Sequence, residues 1–291
     1  MTAALRLAAP PRVDHRGAWV LPPLVLIGGL FFYPLTLILA QALTPATPGA
    51  GLLDNFLRIG ATPLFRSAVL HTFEIAAAST LGCLVLGFVL ALVIAFVPFP
   101  GARPVARLIE TFIALPTFLL TLAFSFVYGS AGILNVALVD LLGLREPPVA
   151  FLYTQWGVIL AEITAYTPFV LRPLLAAFSQ VDPAQIEVAA SLGARPGRIV
   201  REILLPAALP AALVGGVLCL LLTVNEFGIV LFIGAKGVIT LPLLVYGKAI
   251  QEGDYTAACT IAVVDVALSL ALYWAYRAAA ARLGGDRAGM V

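Results

Sequence analysis

The sequence predicts an all-α integral membrane protein of six transmembrane helices, with a polar helix-turn-helix held outside the bilayer between spans four and five. Three observations carry this. Hydrophobic residues make up 62% of the 291 and charged residues 11%, against roughly 25% charged in soluble domains, and the mean hydropathy is +1.05. Apolar runs of about 20 residues, enough to cross a ~30 Å hydrocarbon core, recur along the chain. Between two of the long runs sits the polar stretch 182–206, DPAQIEVAASLGARPGRIVREILLP.

The first run, residues 19–43, is bent by Pro34. Arg6, Arg12 and Arg16 ahead of it look like the lead of a secretory signal, but the run exceeds the 7–15 residues of a cleaved core and is expected to be retained. A Pro/Gly-rich connector follows, then span two at 68–97. The loop PFPGARPVAR leads to span three, 108–128, with Pro116 near its middle. Residues 129–152 are too irregular and polar to span and should hold a short surface helix. Span four, 153–178, is interrupted by Pro168 and Pro173. Span five is 207–233, an outer or re-entrant hairpin occupies 234–254, and span six is 255–276. The expected organisation is a tail at 1–18, one membrane domain at 19–276 and a basic tail at 277–291, with no repeat at a period of 20–50 residues.

Within the polar stretch, Asp182 suits an N-cap, Pro183 the first helical position, and Gln185 the return arm of a capping box. A helix from Pro183 to about Leu192 should close at Gly193 in the left-handed conformation. Pro196 then starts a second helical stretch that runs to a break at Leu205-Pro206. Glu187, Arg195, Arg198, Arg201 and Glu202 keep the whole out of hydrocarbon.

Orientation follows from the basic residues. With an inside N-terminus, the inner side holds eleven: Arg6, Arg12, Arg16, Arg103, Arg107, Arg195, Arg198, Arg201, Arg277, Arg282 and Arg287. Five lie outside: Arg58, Arg66, Arg145, Lys236 and Lys248. Arg172, within a span, completes the seventeen. Six spans then put both termini and the 182–206 loop in the cytoplasm.

Cys83, Cys219 and Cys259 fall in apolar segments without C-x-x-C spacing and read as small packing residues. His15 and His71 are far apart and lack an acidic cluster, so no metal site is expected. No G-x-x-x-x-G-K-[ST] phosphate loop, G-x-S-x-G elbow or H-E-x-x-H pair is present. No catalytic residue is assigned, and uphill movement of a solute would draw its energy from a partner or an ion gradient.

Ionisable groups inside a span are costly and face a bundle interior or a water-filled cavity. Glu162 and Asp265 should lie roughly 10–15 Å below the outer ends of spans four and six, at ~1.5 Å per residue. They are candidates for a solute path, with Asn225 and Glu226 of span five. Glu226, about 30 Å from Pro206 on the same count, is expected near the outer surface, where a solvated interfacial role is as open as a pathway role. Arg172 should snorkel towards the cytoplasmic surface. Thr111, Thr117, Thr121 and Ser125 in span three suit close helix packing or the lining of a path.

The 182–206 stretch resembles the cytoplasmic loop of ABC-importer permeases: Glu-Ala-Ala, three residues, Gly, nine residues, Ile-x-Leu-Pro. Glu187, Ala189, Gly193, Ile203, Leu205 and Pro206 match, with Val188 where the family usually has Ala. Residues 111–135, 157–174 and 225–250 extend the likeness to the permease subunits of bacterial 2-aminoethylphosphonate importers, over most of 21–282. The Glu-Phe-Gly at 226–228 also resembles sulfate- and molybdate-type permeases.

The resemblance implies a binding-protein-dependent, type I importer subunit in the bacterial inner membrane. It would pair with a second permease or a copy of itself, with two cytoplasmic ATPases and a periplasmic binding protein. Glu187, Ala189, Ala190, Gly193, Ile203, Leu205 and Pro206 would form the ATPase contact. The chain itself would bind no cofactor, ATP and Mg belonging to the ATPase, and no nucleic-acid partner is expected. Sulfate, molybdate, iron or putrescine are alternative cargoes. An ion-coupled carrier usually shows an internal repeat, absent here, and a lipid-phosphate enzyme would need clustered nucleophile, base or metal ligands that the sequence lacks.

Overall fold

The computed structural model describes residues 19–45 and 51–284; most of these are helical, with no strand among them. The tail at 1–18, part of the first connector and residues 285–291 of the basic tail lie outside the described residues. In chain order α1 is Leu21–Leu43, α2 Asp54–Gly60, α3 Pro63–Phe96, α4 Ala102–Thr111, α5 Thr117–Tyr128 and α6 Ile133–Leu142. Then come α7 Gln155–Phe178, α8 Pro183–Ser191, α9 Pro196–Val224, α10 Gly228–Ile233, α11 Leu241–Tyr246 and α12 Tyr255–Gly284. Six stretches are long and apolar enough to cross a membrane: α1, α3, Thr117–Leu142, α7, α9 and Tyr255–Arg282.

Proline decides where the chain stays helical. Pro34 and Pro206 lack an N–H and would push on the carbonyl four residues back. Each is preceded by a widened π turn, Gly28–Phe32 and Val200–Leu204, with Tyr33 N–H donating to Gly28 O and Leu205 N–H to Val200 O. The extra residue per turn moves the obstructed carbonyl aside, so the helix continues. The break expected at Leu205-Pro206 is therefore absent, and span five begins at Pro196 rather than 207.

Pro116 behaves differently. It forces Leu115 into extended backbone (φ −83°, ψ 130°), which stops α4 and the short 3-10 turn after it. The third span is accordingly not 108–128: residues 102–111 are a separate helix, and the apolar stretch is Thr117–Leu142, α5 and α6 joined at Gly129–Gly132. Asn135, fully buried, pins that joint by donating to Gly129 O and Val149 O (both 2.8 Å) and accepting from Val149 N–H (2.9 Å). The short helix expected within 129–152 is α6, set off from α5 by extended backbone at Gly129 and Gly132.

At the centre α3, α7 and α9 pack together, contributing most of the main hydrophobic core. Val170 of α7 is wholly buried between Gly87 of α3 and Gly215 of α9. A Cβ on Gly87 would lie 2.9 Å from the Val170 side chain, and one on Gly215 would lie 2.9 Å from Val170 Cα and 3.1 Å from Phe169 O. That carbonyl is the one Pro173 leaves without its helical donor, and the bare glycine Cα can approach it. α7 runs through both Pro168 and Pro173 as one helix instead of being interrupted.

At the end of the bundle away from the 182–206 loop the chain forms a helical hairpin. α9 stops at Val224, short of the expected 233, and α10 starts only at Gly228. Lys236 N–H donates to Tyr153 O at the head of α7 (3.2 Å), and Leu241 N–H to Thr72 Oγ1 of α3 (2.8 Å). The segment leaves and re-enters the bundle, as a re-entrant hairpin does. Asp254 then caps α12 by accepting from Ala257 N–H (2.9 Å). Asn55 of α2 closes the far end of α1 by donating to Ala42 O and Thr44 O.

Candidate functional site

Two regions hold the residues singled out from the sequence. The first is the loop after α7. Asp182 Oδ1 accepts from Ala184 N–H at 2.9 Å, and Pro183 opens α8. The Gln185 side chain makes no return bond to Asp182 among the described hydrogen bonds, so the cap is one-armed. Gly193 has φ +80°; Gly193 N–H donates to Ala190 O (2.9 Å) and Ala194 N–H to Ala189 O (3.0 Å), the paired closure of a Schellman end.

On α8, Ile186 faces the core, as does Ile199 beyond the turn. Glu187, Ala190 and Gly193 are exposed and Ala189 is half-buried. Val188 and Leu192, one turn apart, are 57% and 83% exposed. Both are apolar side chains turned outward beside the Gly193 turn, and Leu192 was not among the residues picked from sequence. Ile203 is half-buried against the core, while Leu205 and Pro206 are exposed at the base of α9. Arg198 and Glu202 pair at 3.1 Å on the same base.

The second region lies where α9 ends. Asn225 and Glu226 are neighbours in sequence but turn to opposite sides. Asn225 Nδ2 donates to Leu221 O (2.8 Å) and to Ser269 Oγ of α12 (3.2 Å). Ser269 is one turn beyond Asp265. Glu226 accepts a hydrogen bond from the Tyr166 hydroxyl of α7 and another from Ile229 N–H of α10, the latter at 2.7 Å. Tyr166 is one turn beyond Glu162.

Glu226 is 7% exposed and is no solvated interfacial group. It follows the last turn of α9, as counting places it, but the hairpin after it covers that end. Glu162 is seven residues into α7 and Asp265 ten into α12, about 10 and 15 Å at 1.5 Å per residue. Glu226 thus bonds a hydroxyl one turn from Glu162, and Asn225 a hydroxyl one turn from Asp265, while neither Glu162 nor Asp265 is bonded to them. Those two hydroxyls were missed in the sequence, although each stands four residues beyond a flagged acid. Glu162 is fully buried with neither carboxylate oxygen bonded in the chain; the Ser79 hydroxyl beside it and one oxygen of Asp265 are likewise unbonded. Arg172 is 61% exposed and reaches Glu110 of α4 at 3.7 Å. Glu74 of α3, not flagged from sequence, is exposed and bonds Gln155 at 3.1 Å.

Among the described residues no three His, Cys, Asp or Glu side chains are placed to hold a metal ion. The arrangement offers buried acids, hydroxyls and a broken helix inside a bundle, together with an external helix that presents apolar side chains.

Residues 84–285 match the family of binding-protein-dependent transport system inner membrane components. A protein from Salmonella paratyphi A, provisionally named the 2-aminoethylphosphonate transport system permease protein PhnU, is 56% identical over 266 residues, 91% of this chain and 92% of that one. The molybdenum transport system permease protein ModB of Mycobacterium bovis is 29% identical over 257 residues, 87% of this chain and 92% of that one. A crystal structure of a bacterial ABC transporter that imports alginate superposes with a TM-score of 0.75 at 20% identity, covering 91% of this chain and 94% of that one. The six apolar stretches and the core around α3, α7 and α9 thus have a counterpart in a solved importer. This chain, a multi-pass inner-membrane protein, belongs to the family of binding-protein-dependent transport system inner membrane components.

Proposed function

We propose that the chain is the permease subunit of an ATP-driven importer that takes up 2-aminoethylphosphonate from the periplasm by alternating access. The observation that carries the cargo is the 56% identity over 91% of the chain to the Salmonella protein named for that substrate. The relatives named for molybdenum and sulfate stand at 29% and 31%.

Two such permeases, identical or different, would work with two ATPase subunits that bind ATP and Mg, and with a periplasmic binding protein. The ATPase contact is α8 with its Val188–Leu192 face, together with Glu187, Ala189, Ala190, Gly193, Ile203, Leu205 and Pro206. Moving a two-state population from 1:99 to 99:1 takes a differential affinity of about 10⁴, or ~5.5 kcal/mol. ATP-driven closure of the ATPase pair would supply that bias through this contact. High-affinity recognition belongs to the binding protein, and the permease offers weak, reversible contacts along Glu162, Asn225, Glu226 and Asp265. Both termini and α8 lie in the cytoplasm on this reading, supported by eleven basic residues on that side against five on the other.

Uptake of radiolabelled 2-aminoethylphosphonate into vesicles holding the full complex, with binding protein and internal ATP, tests the cargo. Uptake of molybdate or sulfate in its place would overturn it. Gly193→Leu forces a branched side chain into a left-handed position, a strain of about 1–2 kcal/mol, and should abolish ATPase co-purification and uptake while membrane insertion stays normal. A variant that keeps its ATPase and transports normally would exclude the docking role. An impermeant maleimide should label Gly197→Cys only from the cytoplasmic face and Arg145→Cys only from the periplasmic face; both labelling from one side would refute the orientation. Asp265→Asn should slow uptake several-fold while assembly and basal ATP hydrolysis are kept, and wild-type uptake would remove Asp265 from the path.

A further inference from the structure

The exposed surface of α4 is divided along its length. Successive residues turn by about 100°, so Ala102, Ala106, Ile109 and Glu110 share one side. That side faces the protein: all four are partly shielded, Ile109 packs on the main core, and Glu110 pairs with Arg172. Along one edge of the remaining surface stand Arg103 and Arg107, both exposed and one turn apart. Along the other edge stand Val105 and Leu108, 40% and 66% exposed. Among the described residues neither arginine has a carboxylate within 4.0 Å. The helix lies between the end of α3 and the start of α5, at the margin of the membrane-crossing stretches and outside all of them.

A helix flanked by protein on one side, with charge above and hydrocarbon side chains below, fits a membrane boundary lying alongside it. We propose that α4 lies in the plane of the membrane interface, and that Arg103 and Arg107 bind the phosphate of anionic phospholipid headgroups while Val105 and Leu108 enter the acyl region. Guanidinium groups suit phosphate through paired N–H donors. Their spacing, one helical turn, lets both reach one headgroup or two adjacent ones. A soluble protein partner would cover the arginine edge and leave Leu108 in water, whereas a lipid surface satisfies both edges together. Through Glu110 and Arg172 the bound lipid would also bear on α7, which leads into α8 four residues after its end. The inference rests on the chain spanning a membrane and is independent of the transported solute.

The test uses the full chain in detergent, offered equal amounts of phosphatidylglycerol and phosphatidylcholine, with retained lipids counted by native mass spectrometry. The wild type should favour phosphatidylglycerol by about tenfold or more. Arg103→Gln with Arg107→Gln should bring the preference to within about twofold while phosphatidylcholine retention is unchanged. Arg198→Gln with Arg201→Gln should keep the wild-type preference. Millimolar glycerol 3-phosphate should not displace the lipid, because it lacks the acyl chains that Val105 and Leu108 would hold. If the double variant at α4 fails to fold, Arg107→Gln alone decides, with a fall of about threefold expected. No preference in the wild type, an unchanged preference in the α4 variants, an equal loss in the Arg198/Arg201 variant, or displacement by glycerol 3-phosphate would each overturn the proposal.

Discussion

A backbone that leaves its helix inside a packed bundle must find other partners for whichever of its N–H and C=O groups are shielded from water. In this chain that happens at Asn225–Glu226, and two side chains meet the need. Asn225 returns a donor to the Leu221 carbonyl at the end of α9, and Glu226 accepts from Ile229 N–H at the start of α10. The Tyr166 hydroxyl holds Glu226 in place from α7. A buried polar group left without such a partner costs about 1–3 kcal/mol, more for a charged one, so the inset end of α9 depends on these few bonds. The hairpin above it, with Lys236 on Tyr153 O and Leu241 on Thr72, follows from where that end is fixed.

α7 connects this lock to the 182–206 loop. Tyr166 stands one turn before Phe169 and Val170, where the close approach of Gly87 and Gly215 clamps the three central helices. From there α7 continues to Phe178, and α8 opens at Pro183. A displacement of α8 by a partner has one continuous helix through which to reach the foot of the hairpin. Val170 leaves little slack in that route, since its two glycine neighbours already approach as closely as side-chain-bearing residues could not.

What the sequence makes legible divides along local and tertiary lines. The cap at Asp182, the turn at Gly193 and the number of spans are decided by neighbours within a few residues and by hydrophobic length, and each can be read directly. Proline is less legible. Pro116 ends a helix, whereas Pro34 and Pro206 are carried by π turns and Pro173 by a glycine packed opposite, which the local sequence does not announce. The burial of Glu226 could not be read by counting because it depends on a hairpin folding back over it. Tyr166 and Ser269, by contrast, sit at helical spacing from Glu162 and Asp265, and a search for hydroxyls one turn from a buried acid would have found both.

The Tyr166–Glu226 contact can be measured by itself through a double-mutant cycle on detergent-purified chain, using Tyr166→Phe, Glu226→Gln and the pair, with unfolding free energies as the readout. If this bond fixes the end of α9, the two substitutions should be coupled by about 1–3 kcal/mol, with the double variant losing less than the sum of the singles. Losses that add to within about 0.3 kcal/mol would show that the two side chains act independently, and that the break in α9 is held by something else.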